Sequence, residues 1–547
     1  MKKLFALLLV ITMVFALFAC AGKNNNGTSD TTGNTAGNNT GSSDVPDAGD
    51  ADSGEENTTN NTTAKDTLTV AFTQDRGTLD PLYMVGWDTM NAMRMIYEPL
   101  WEFDAQGNQI WLLATSIDIL EPTKWHIHLR EGVTFENGNP FTAEDALFSM
   151  YIANNRLGEP PYMSEYDSEN SKVVDEYTLE VVYSEFAIDL VTRYGSLYMY
   201  DAESYDFETV STTPNGTGPY TLDEYVINSH LNLTLRDSYW REMPKIRNLH
   251  FRILTEDTQR VNAVQIGAAD ISSIPFQDVD FVQTLPGVTV DLFPQNMTST
   301  LYMNTSTTRD VFRDNTDARR AVAYAIDRQA ILDIAFSGYG ILSRLPLAQS
   351  ANDVEDRFMD LGIYAHPNNG YDPELAKELA ISSGLVDKEI LLINNGGAAN
   401  VTACELIQAN LKDIGVTVNV QNLDPGSWLT IVFDETQFDM ALDFTVGDTM
   451  ASNYRSWATY HVGGAFTRSP WPGSERFLSL IDGIMAVSDP QELSNMYMEL
   501  TEIHLNAMIW YTMVDTVAAA AYNSDIVGYK EAQRTLGAVI YSELSWS

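Results

Sequence analysis

Stretches in which apolar and polar residues alternate recur along the chain from residue 66 onward, and this alternation predicts β-strands. The clearest examples are Leu68–Phe72, Trp125–Arg130 and Leu231–Arg236. Between them lie segments with the residue pattern of helices, among them Thr142–Ile152 and Asp317–Asp327. Strands and helices that intermix in this way indicate an α/β fold class.

Two of the predicted helices have recognisable ends. Thr142 precedes its helix as a candidate N-cap, and the acids Glu144 and Asp145 in the first turn complement the helix dipole. A third helix, Thr402–Ile414, runs into Gly415 and then into the strand Val416–Val420. Glycine after a helix and before a strand is a common way to end the helix.

The first twenty residues follow a different pattern. Lys2 and Lys3 precede the apolar run Leu4–Phe18, which matches an export signal and is shorter than the ~20 residues of a membrane-spanning helix. The run ends in Leu17-Phe18-Ala19-Cys20, which resembles a bacterial lipobox. We therefore predict a signal peptide over residues 1–19 and lipidation of Cys20. An ordinary cleaved signal peptide with an incidental cysteine is the alternative.

The segment that follows, up to residue 65, consists almost entirely of Asn, Thr, Gly, Ser, Asp and Ala and contains no aromatic residue. Such a composition cannot bury enough apolar surface to offset the entropy of the chain. We therefore expect residues 20–65 to be a disordered tether between the lipid and the folded part. The remaining length suggests about three domains.

Charge and cysteine content narrow the class of protein further. The formal net charge is −43, which repels phosphate backbones and excludes nucleic acid as a partner. The chain has two cysteines, so lipidation of Cys20 leaves Cys404 without a disulfide partner. Cys404 lies in the helix Thr402–Ile414, and we interpret it as a small buried hydrophobic side chain.

Catalytic and cofactor motifs are missing from the sequence. It contains no G-x-S-x-G, H-E-x-x-H, Walker or C-x-x-C pattern, and Gly216-Thr-Gly218 lacks the third glycine of a dinucleotide site. His126 and His128 would share one face of a strand with Arg130, which opposes a bound cation, so we interpret them as a solvated face. We predict no enzyme, no cofactor and no metal site; an extracellular hydrolase is kept as a remote alternative.

Five segments resemble the bacterial extracellular solute-binding proteins of family 5, which include oligopeptide-, dipeptide- and nickel-binding proteins of ABC importers. They occur in the family's order, and the second is the most specific. The segments are Asp75–Leu82 with Tyr97–Phe103, Trp125–Met150, Gly216–Tyr220 with Tyr239–Trp240, Ala263–Ile271, and Leu301–Asn304 with Arg319–Arg328.

The resemblance implies a periplasmic-binding-protein-like fold of type II, with two α/β lobes that close at a hinge and an extra inserted domain. The implied lobe I comprises residues 66–100, 215–296 and 514–547; the extra domain comprises 101–214, and lobe II comprises 297–513. The hinge would consist of two strands near Gln295–Tyr302 and Tyr511–Ala518.

The function implied by the resemblance is that of an extracytoplasmic lipoprotein that captures a small solute and delivers it to an ABC permease and ATPase complex. The ligands implied are oligopeptides or dipeptides. Anchoring would rest on the N-terminal lipid, without a cofactor, and the protein would act as a monomer. Two alternatives stay open. The same scaffold could bind a nickel chelate, a sugar or an opine, or it could serve as a peptide sensor.

The resemblance also implies ligand-binding residues, most of them in lobe II. Asp448 would meet the amino terminus of a peptide, with Asp443 as the competing candidate. Phe444 and Trp428 would line side-chain pockets, and the backbone from Thr445 to Gly447 would pair with the ligand. Further candidates are Trp87 at the rim of lobe I, Tyr302 and Asn304 near the hinge, and Tyr454, Arg455 and Trp457.

Overall fold

The predicted alternation of strands and helices is present in the computed structural model, which describes residues 65–547 except 76, 83–86, 106, 156–162, 164, 188, 195–196, 307–308, 352, 433–436, 448, 458–470, 472, 488 and 535–537. The strands are β1 Thr67–Phe72, β2 Trp101–Phe103, β3 Gln109–Trp111, β4 Ala114–Glu121, β5 Lys124–Leu129, β6 Lys172–Asp175, β7 Thr178–Val182, β8 Tyr220–Val226, β9 His230–Leu235, β10 Asn248–Ile253, β11 Ile271–Ser273, β12 Val288–Met303, β13 Ile341–Leu342, β14 Glu389–Asn394, β15 Thr417–Asn422, β16 Met440–Val446, β17 Trp510–Asn523, β18 Ile526–Val527 and β19 Ser545–Trp546.

Helices lie between these strands along most of the chain. They are α1 Trp87–Met93, α2 Ala143–Asn154, α3 Leu190–Tyr194, α4 Asp257–Gln265, α5 Val279–Val282, α6 Thr316–Ala325, α7 Arg328–Ala330, α8 Pro373–Ser382, α9 Ala398–Asp413, α10 Pro425–Val432, α11 Met450–Trp457, α12 Glu475–Ala486 and α13 Pro490–Ala507. The helices and strands that the residue pattern predicts most clearly are all confirmed, among them α2, α6, α9, β1, β5 and β9.

One large mixed sheet runs through the described part of the chain. Its strands follow the order β15-β14-β16-β12-β17-β11-β1-β10-β9-β8, and β13 pairs with β17. The two longest strands, β12 and β17, are neighbours in the middle of this order and pair antiparallel. The chain therefore passes from one half of the sheet to the other along these two strands.

Each half of the sheet is covered by its own core. On the β1 side the core includes Leu68, Phe251 and Tyr541, and on the β14 side it includes Leu392, Ile407 and Val514. Each core buries apolar side chains that are far apart in the sequence. Burial of apolar surface therefore stabilises the two halves of the sheet separately.

A second sheet, with the strand order β4-β5-β7-β6, has a core of its own. Trp101, Trp125 and Tyr194 are fully buried in this core. The ring centroids of Trp101 and Tyr194 lie 5.0 Å apart. All the buried residues of the core fall between Leu100 and Met199, which lies almost wholly within the range predicted for the extra domain.

The structure confirms the predicted start of α2 and the predicted end of α9. The Asp145 carboxylate accepts hydrogen bonds from the backbone N–H of Thr142 at 2.8 Å and from its hydroxyl at 2.9 Å, which caps α2. Gly415 ends the run from α9 with a φ of +87°, where a side chain would be strained. Cys404 of α9 is fully buried, as expected, and burial raises the pKa of its thiol to about 12.

Two of the five sequence segments that carry the family resemblance meet at one buried carboxylate, that of Glu98. It accepts hydrogen bonds from the hydroxyls of Thr217, at 2.9 Å, and Tyr239, and from the indole N–H of Trp240, at 2.8 Å. Burial raises the pKa of Glu98, and these three donors oppose the shift. Glycine is required beside them, because a Cβ on Gly218 would lie 2.5 Å from the carbonyl oxygen of Met95.

Candidate functional site

The antiparallel pairing of β12 with β17 is irregular in the middle of both strands. Pro294 pairs with Val517 and Thr298 with Asp515, so three residues of β12 lie opposite one residue of β17. One of the three, Asn296, has a φ of +51°, in the left-handed region. A bulge of this kind bends the strand and increases its local twist.

Strand β16 ends beside this irregularity. It pairs antiparallel with β12 from Met303↔Met440 to Met297↔Val446. On its other side it pairs in parallel with β14, whose last residue, Asn394, lies opposite Leu442. The last four residues of β16, 443–446, therefore pair with β12 on one side and lie beyond the end of β14 on the other.

A cluster of hydroxyl groups fixes this end of β16 to β12. The Thr445 hydroxyl lies 2.9 Å from that of Thr300 and 3.0 Å from that of Tyr302. The Tyr302 hydroxyl also donates to the carbonyl oxygen of Phe444 at 3.4 Å. Thr300, Tyr302 and Thr445 are buried, whereas Phe444 is half-buried. The hydroxyls thus hold the backbone in place and leave part of the Phe444 ring exposed.

Gly447 connects the end of β16 to the irregular segment of β12. Its N–H donates to the carbonyl oxygen of Asn296 at 3.2 Å, and its own carbonyl accepts from the side-chain amide of Asn453 at 2.9 Å. A Cβ at this position would lie 2.7 Å from the Asn453 amide nitrogen. Glycine is needed here because the backbone approaches α11 closely.

Buried polar groups continue on the other side of the irregularity, around Asp515 of β17. Its carboxylate accepts hydrogen bonds from the Ser343 hydroxyl at 2.8 Å and from the backbone N–H of Gln349 at 2.7 Å. Burial raises the pKa of Asp515 to about 6. The sequence analysis did not identify Asp515; an acid inside the apolar run of β17 is the signal that could have revealed it.

Comparison with known proteins bears on what this arrangement does. The model for the bacterial extracellular solute-binding proteins, family 5 (middle), matches residues 110–467. That match covers well over half of the chain. The protein belongs to this family. Its fold is therefore the type II periplasmic-binding-protein fold, with two lobes, a hinge and an extra inserted domain.

Three related proteins illustrate what family 5 members bind. The chain is 24% identical over 486 residues to the glutathione-binding protein GsiB of Salmonella paratyphi A, a match that covers 85% of this chain and 92% of GsiB. It is 26% identical over 384 residues to the nickel-binding periplasmic protein of Escherichia coli, covering 65% and 71%. The structure of Helicobacter pylori DppA with the peptide STSA is similar at a TM-score of 0.75 and 19% identity, covering 88% and 98%.

Family 5 proteins are extracytoplasmic solute-binding components that work with an ABC permease and ATPase, and they are not enzymes. Within the described residues, no helix is long and apolar enough to cross a membrane. The same part of the chain holds no group of three or more His, Cys, Asp or Glu residues arranged to bind a metal ion. His126 lies 3.1 Å from Glu180, and His128 lies 2.9 Å from Asp118, both at partly exposed positions.

The structure brings some of the predicted site residues of this family 5 protein together. Tyr302, Phe444 and Gly447 surround the end of β16, as described above. Asn304 is fully buried just past the end of β12, beside the start of β16, where its side-chain amide donates to the carbonyl oxygen of Phe438 at 2.7 Å. Asp443 is half-buried and pairs with Thr300 across the two strands.

Two further candidates are buried in cores that adjoin β16 and β12. Trp428 of α10 is 7% exposed and packs with Ile393 and Phe438. Tyr454 of α11 is fully buried, and its hydroxyl lies 3.1 Å from that of Thr501. In this arrangement both rings support the elements that surround the site.

The remaining predictions concern residues that the structure does not describe in full. Asp448 and Cys20 lie outside the described residues. Trp87 is the first residue of α1, and Arg455 and Trp457 lie in the last turn of α11, but the description does not extend to these three side chains.

Proposed function

We propose that this protein captures peptides between its two lobes and delivers them to an ABC importer. The observation that carries the proposal is the end of β16, where residues 443–446 extend beyond β14 beside the irregular pairing of β12 and β17. A strand edge of this kind supplies backbone groups to an extended peptide, which would add to it as a further strand. The half-buried ring of Phe444 would contact a ligand side chain.

The charged ends of a peptide need partners once the lobes exclude water, since an unpaired buried charge is costly. We assign the amino terminus to Asp448, with Asp443 as the alternative on β16. Arg455, two residues before the end of α11, would donate hydrogen bonds from its guanidinium fork to the ligand carboxylate. Trp87 and Trp457 would form the outer walls.

The relatives support this ligand class and also define its competitor. GsiB binds glutathione, which is itself a small peptide, and the similar DppA structure holds the peptide STSA. The Escherichia coli relative binds nickel. Peptide and metal-chelate ligands are therefore the two classes to be separated by experiment.

The experiment is calorimetric titration of the full chain with tri- to pentapeptides, each with a free and with an acetylated amino terminus. We expect tighter binding of the free peptides. Asp448→Asn should weaken their binding by a factor of a hundred or more, because removal of one partner of a buried charge pair costs about 3–5 kcal/mol. It should leave acetylated peptides unaffected. Asp525→Asn, at an exposed loop position, is the matched control.

Strand addition has its own test, a series of peptides methylated at one backbone nitrogen at a time. Backbone groups of a strand point alternately to its two sides. Methylation should therefore weaken binding at every second position and have little effect between. A uniform effect along the peptide would contradict strand addition. Binding of nickel–histidine or a sugar, with no peptide binding, would contradict the ligand class while family membership stands.

Anchoring is a separate part of the proposal. We infer that Cys20 carries the lipid that holds the protein to the membrane. Radiolabelled palmitate should enter the wild-type chain and not the Cys20→Ala variant, and the variant should be released into the soluble fraction. Retention of Cys20→Ala on the membrane would contradict lipid anchoring at this residue.

A further inference from the structure

A cavity lies beside the irregular pairing of β12 and β17, in the half of the sheet that contains β1. Its floor is formed by four adjacent strands, at Phe293–Gln295 of β12, Ala518–Ala520 of β17, Ile271–Ser273 of β11 and Val70–Phe72 of β1. Helix α1 and three residues near the C-terminus, Tyr529, Val539 and Tyr541, complete the described lining. Its volume is about 130 Å³, whereas one water molecule needs about 10–15 Å³.

Two hydrogen-bond acceptors from α1 line this cavity. Asp88 and Asn91 are three residues apart, so they lie on the same face of the helix. Asn91 is 7% exposed, and its side-chain oxygen has no hydrogen-bond partner among the described residues. A buried acceptor without a partner is costly. A ligand that donates a hydrogen bond into the cavity would remove that cost.

The only acidic side chain in the described lining is that of Asp88. Asp88 supplies a carboxylate, of which one oxygen accepts from the backbone N–H of Thr73 at 2.6 Å and from its hydroxyl at 2.5 Å. Burial raises the pKa of Asp88, so a cation beside it would favour the ionised form. The described lining contains no Lys or Arg. Arg260 lies behind β11, where its guanidinium donates to the carbonyl oxygens of Ser273, Leu254 and Thr255.

The rest of the described lining mixes polar and apolar side chains, and three of its aromatic residues, Phe72, Tyr529 and Tyr541, are 3–4% exposed. Its polar members are Ser272, Ser273 and Gln295. Aromatic faces attract organic cations, and apolar walls accept an alkyl chain. The overall charge of −43 raises the local concentration of cations at such a site.

We propose that this cavity is a second binding site, specific for a small primary alkylammonium ion, whose ammonium group is held by Asp88 and Asn91 and whose alkyl chain lies against the aromatic wall. The site does not depend on β16 or on the proposed peptide ligand. A buried carboxylate beside an acceptor without a partner selects a charged donor over a neutral molecule of the same size.

The test uses n-butylammonium chloride as the probe, with n-butanol as the neutral analogue, titrated calorimetrically into the full chain in mild detergent at fixed ionic strength. We expect butylammonium to bind at least tenfold more tightly than butanol. Asn91→Leu and Asp88→Asn should each weaken butylammonium binding at least tenfold. Asn262→Leu, at an exposed position of α4, is the matched control and should have no effect.

Three outcomes would overturn the site: no binding of butylammonium to the wild type, equal binding of butanol, or unchanged binding in Asn91→Leu. If Asn91→Leu does not fold, as judged by circular dichroism, Asn91→Asp replaces it. That variant adds a second carboxylate of the same shape and should tighten binding; unchanged or weaker binding would also overturn the proposal. Peptide binding by the same variants is titrated separately. Failure of the alkylammonium site can therefore be told apart from failure of the peptide site.

Discussion

The buried carboxylate of Asp515 should make the stability of the protein depend on pH near neutrality. Asp515 is 4% exposed in β17, at the irregular pairing with β12. Burial raises its pKa from the ordinary value of 3.8 to about 6, and the hydrogen bonds from Ser343 and Gln349 together with the charge of Arg328 only partly oppose this shift. The folded protein thus favours the protonated form of this acid.

The sign of the effect follows from proton binding. Between pH 3.8 and about 6 the folded state holds a proton on Asp515 that the unfolded state has released. Stability therefore falls as the pH rises through this range and stays lower above it. Because the unfolded-state acid is already partly ionised at pH 4, the contribution lost between pH 4 and pH 7 is about 2–2.5 kcal/mol at 1.36 kcal/mol per pKa unit.

The assay is urea denaturation of the wild type and of Asp515→Asn at pH values from 4 to 7.5. The variant cannot ionise, so its free energy of unfolding minus that of the wild type should rise by about 2–2.5 kcal/mol across this range. Asp525→Asn, at an exposed position, should show a constant difference. A constant difference for Asp515→Asn as well would refute the reasoning, because the other acids of the chain titrate equally in both proteins.

Three further experiments test the arrangement around β16 and the buried acid Glu98. Gly447→Ala forces a Cβ to within 2.7 Å of the Asn453 amide; it should lower the free energy of unfolding by about 1–3 kcal/mol and weaken ligand binding in the calorimetric titration. Gly397→Ala, whose Cβ would come no closer than 3.4 Å to another atom, should leave ligand binding unchanged. Glu98→Ala leaves one buried donor, Thr217, and two half-buried donors without their acceptor and should cost about 3 kcal/mol or more in urea denaturation; a loss below about 1 kcal/mol would contradict the role of Glu98. Tyr302→Phe and Thr445→Val, combined in a double-mutant cycle, should show a coupling of about 0.5–1.5 kcal/mol, and additive effects would show that the two hydroxyls do not interact.

Local signals predicted much of the fold. Alternation along five or six residues was enough for β5 and β9, and the cap at Thr142 located the start of α2 to the residue. The succession from α9 through Gly415 to β15 was also predicted, because a left-handed glycine is a local requirement. The family resemblance, confirmed by comparison, supplied the lobes that no local pattern specifies.

The site was less predictable, since its parts are distant in sequence. Phe444 and Tyr302 meet because β16 pairs with β12, and nothing near either residue encodes that pairing. The cavity at Asp88 and Asn91 likewise collects residues from Val70 to Tyr541. The assignment of Asp448 rests on resemblance and stays a prediction.

The continuity of the large sheet across β12 and β17 has a mechanical consequence. Lobes joined by loose linkers could swing freely, whereas here the only crossing within the described sheet is a hydrogen-bonded ribbon two strands wide. Motion of the lobes must then be a torsion of that ribbon, concentrated where three residues of β12 face one of β17 and the ladder is already interrupted. The ribbon resists this twisting elastically. Its stiffness sets how far the lobes open and how strongly a ligand must hold them closed.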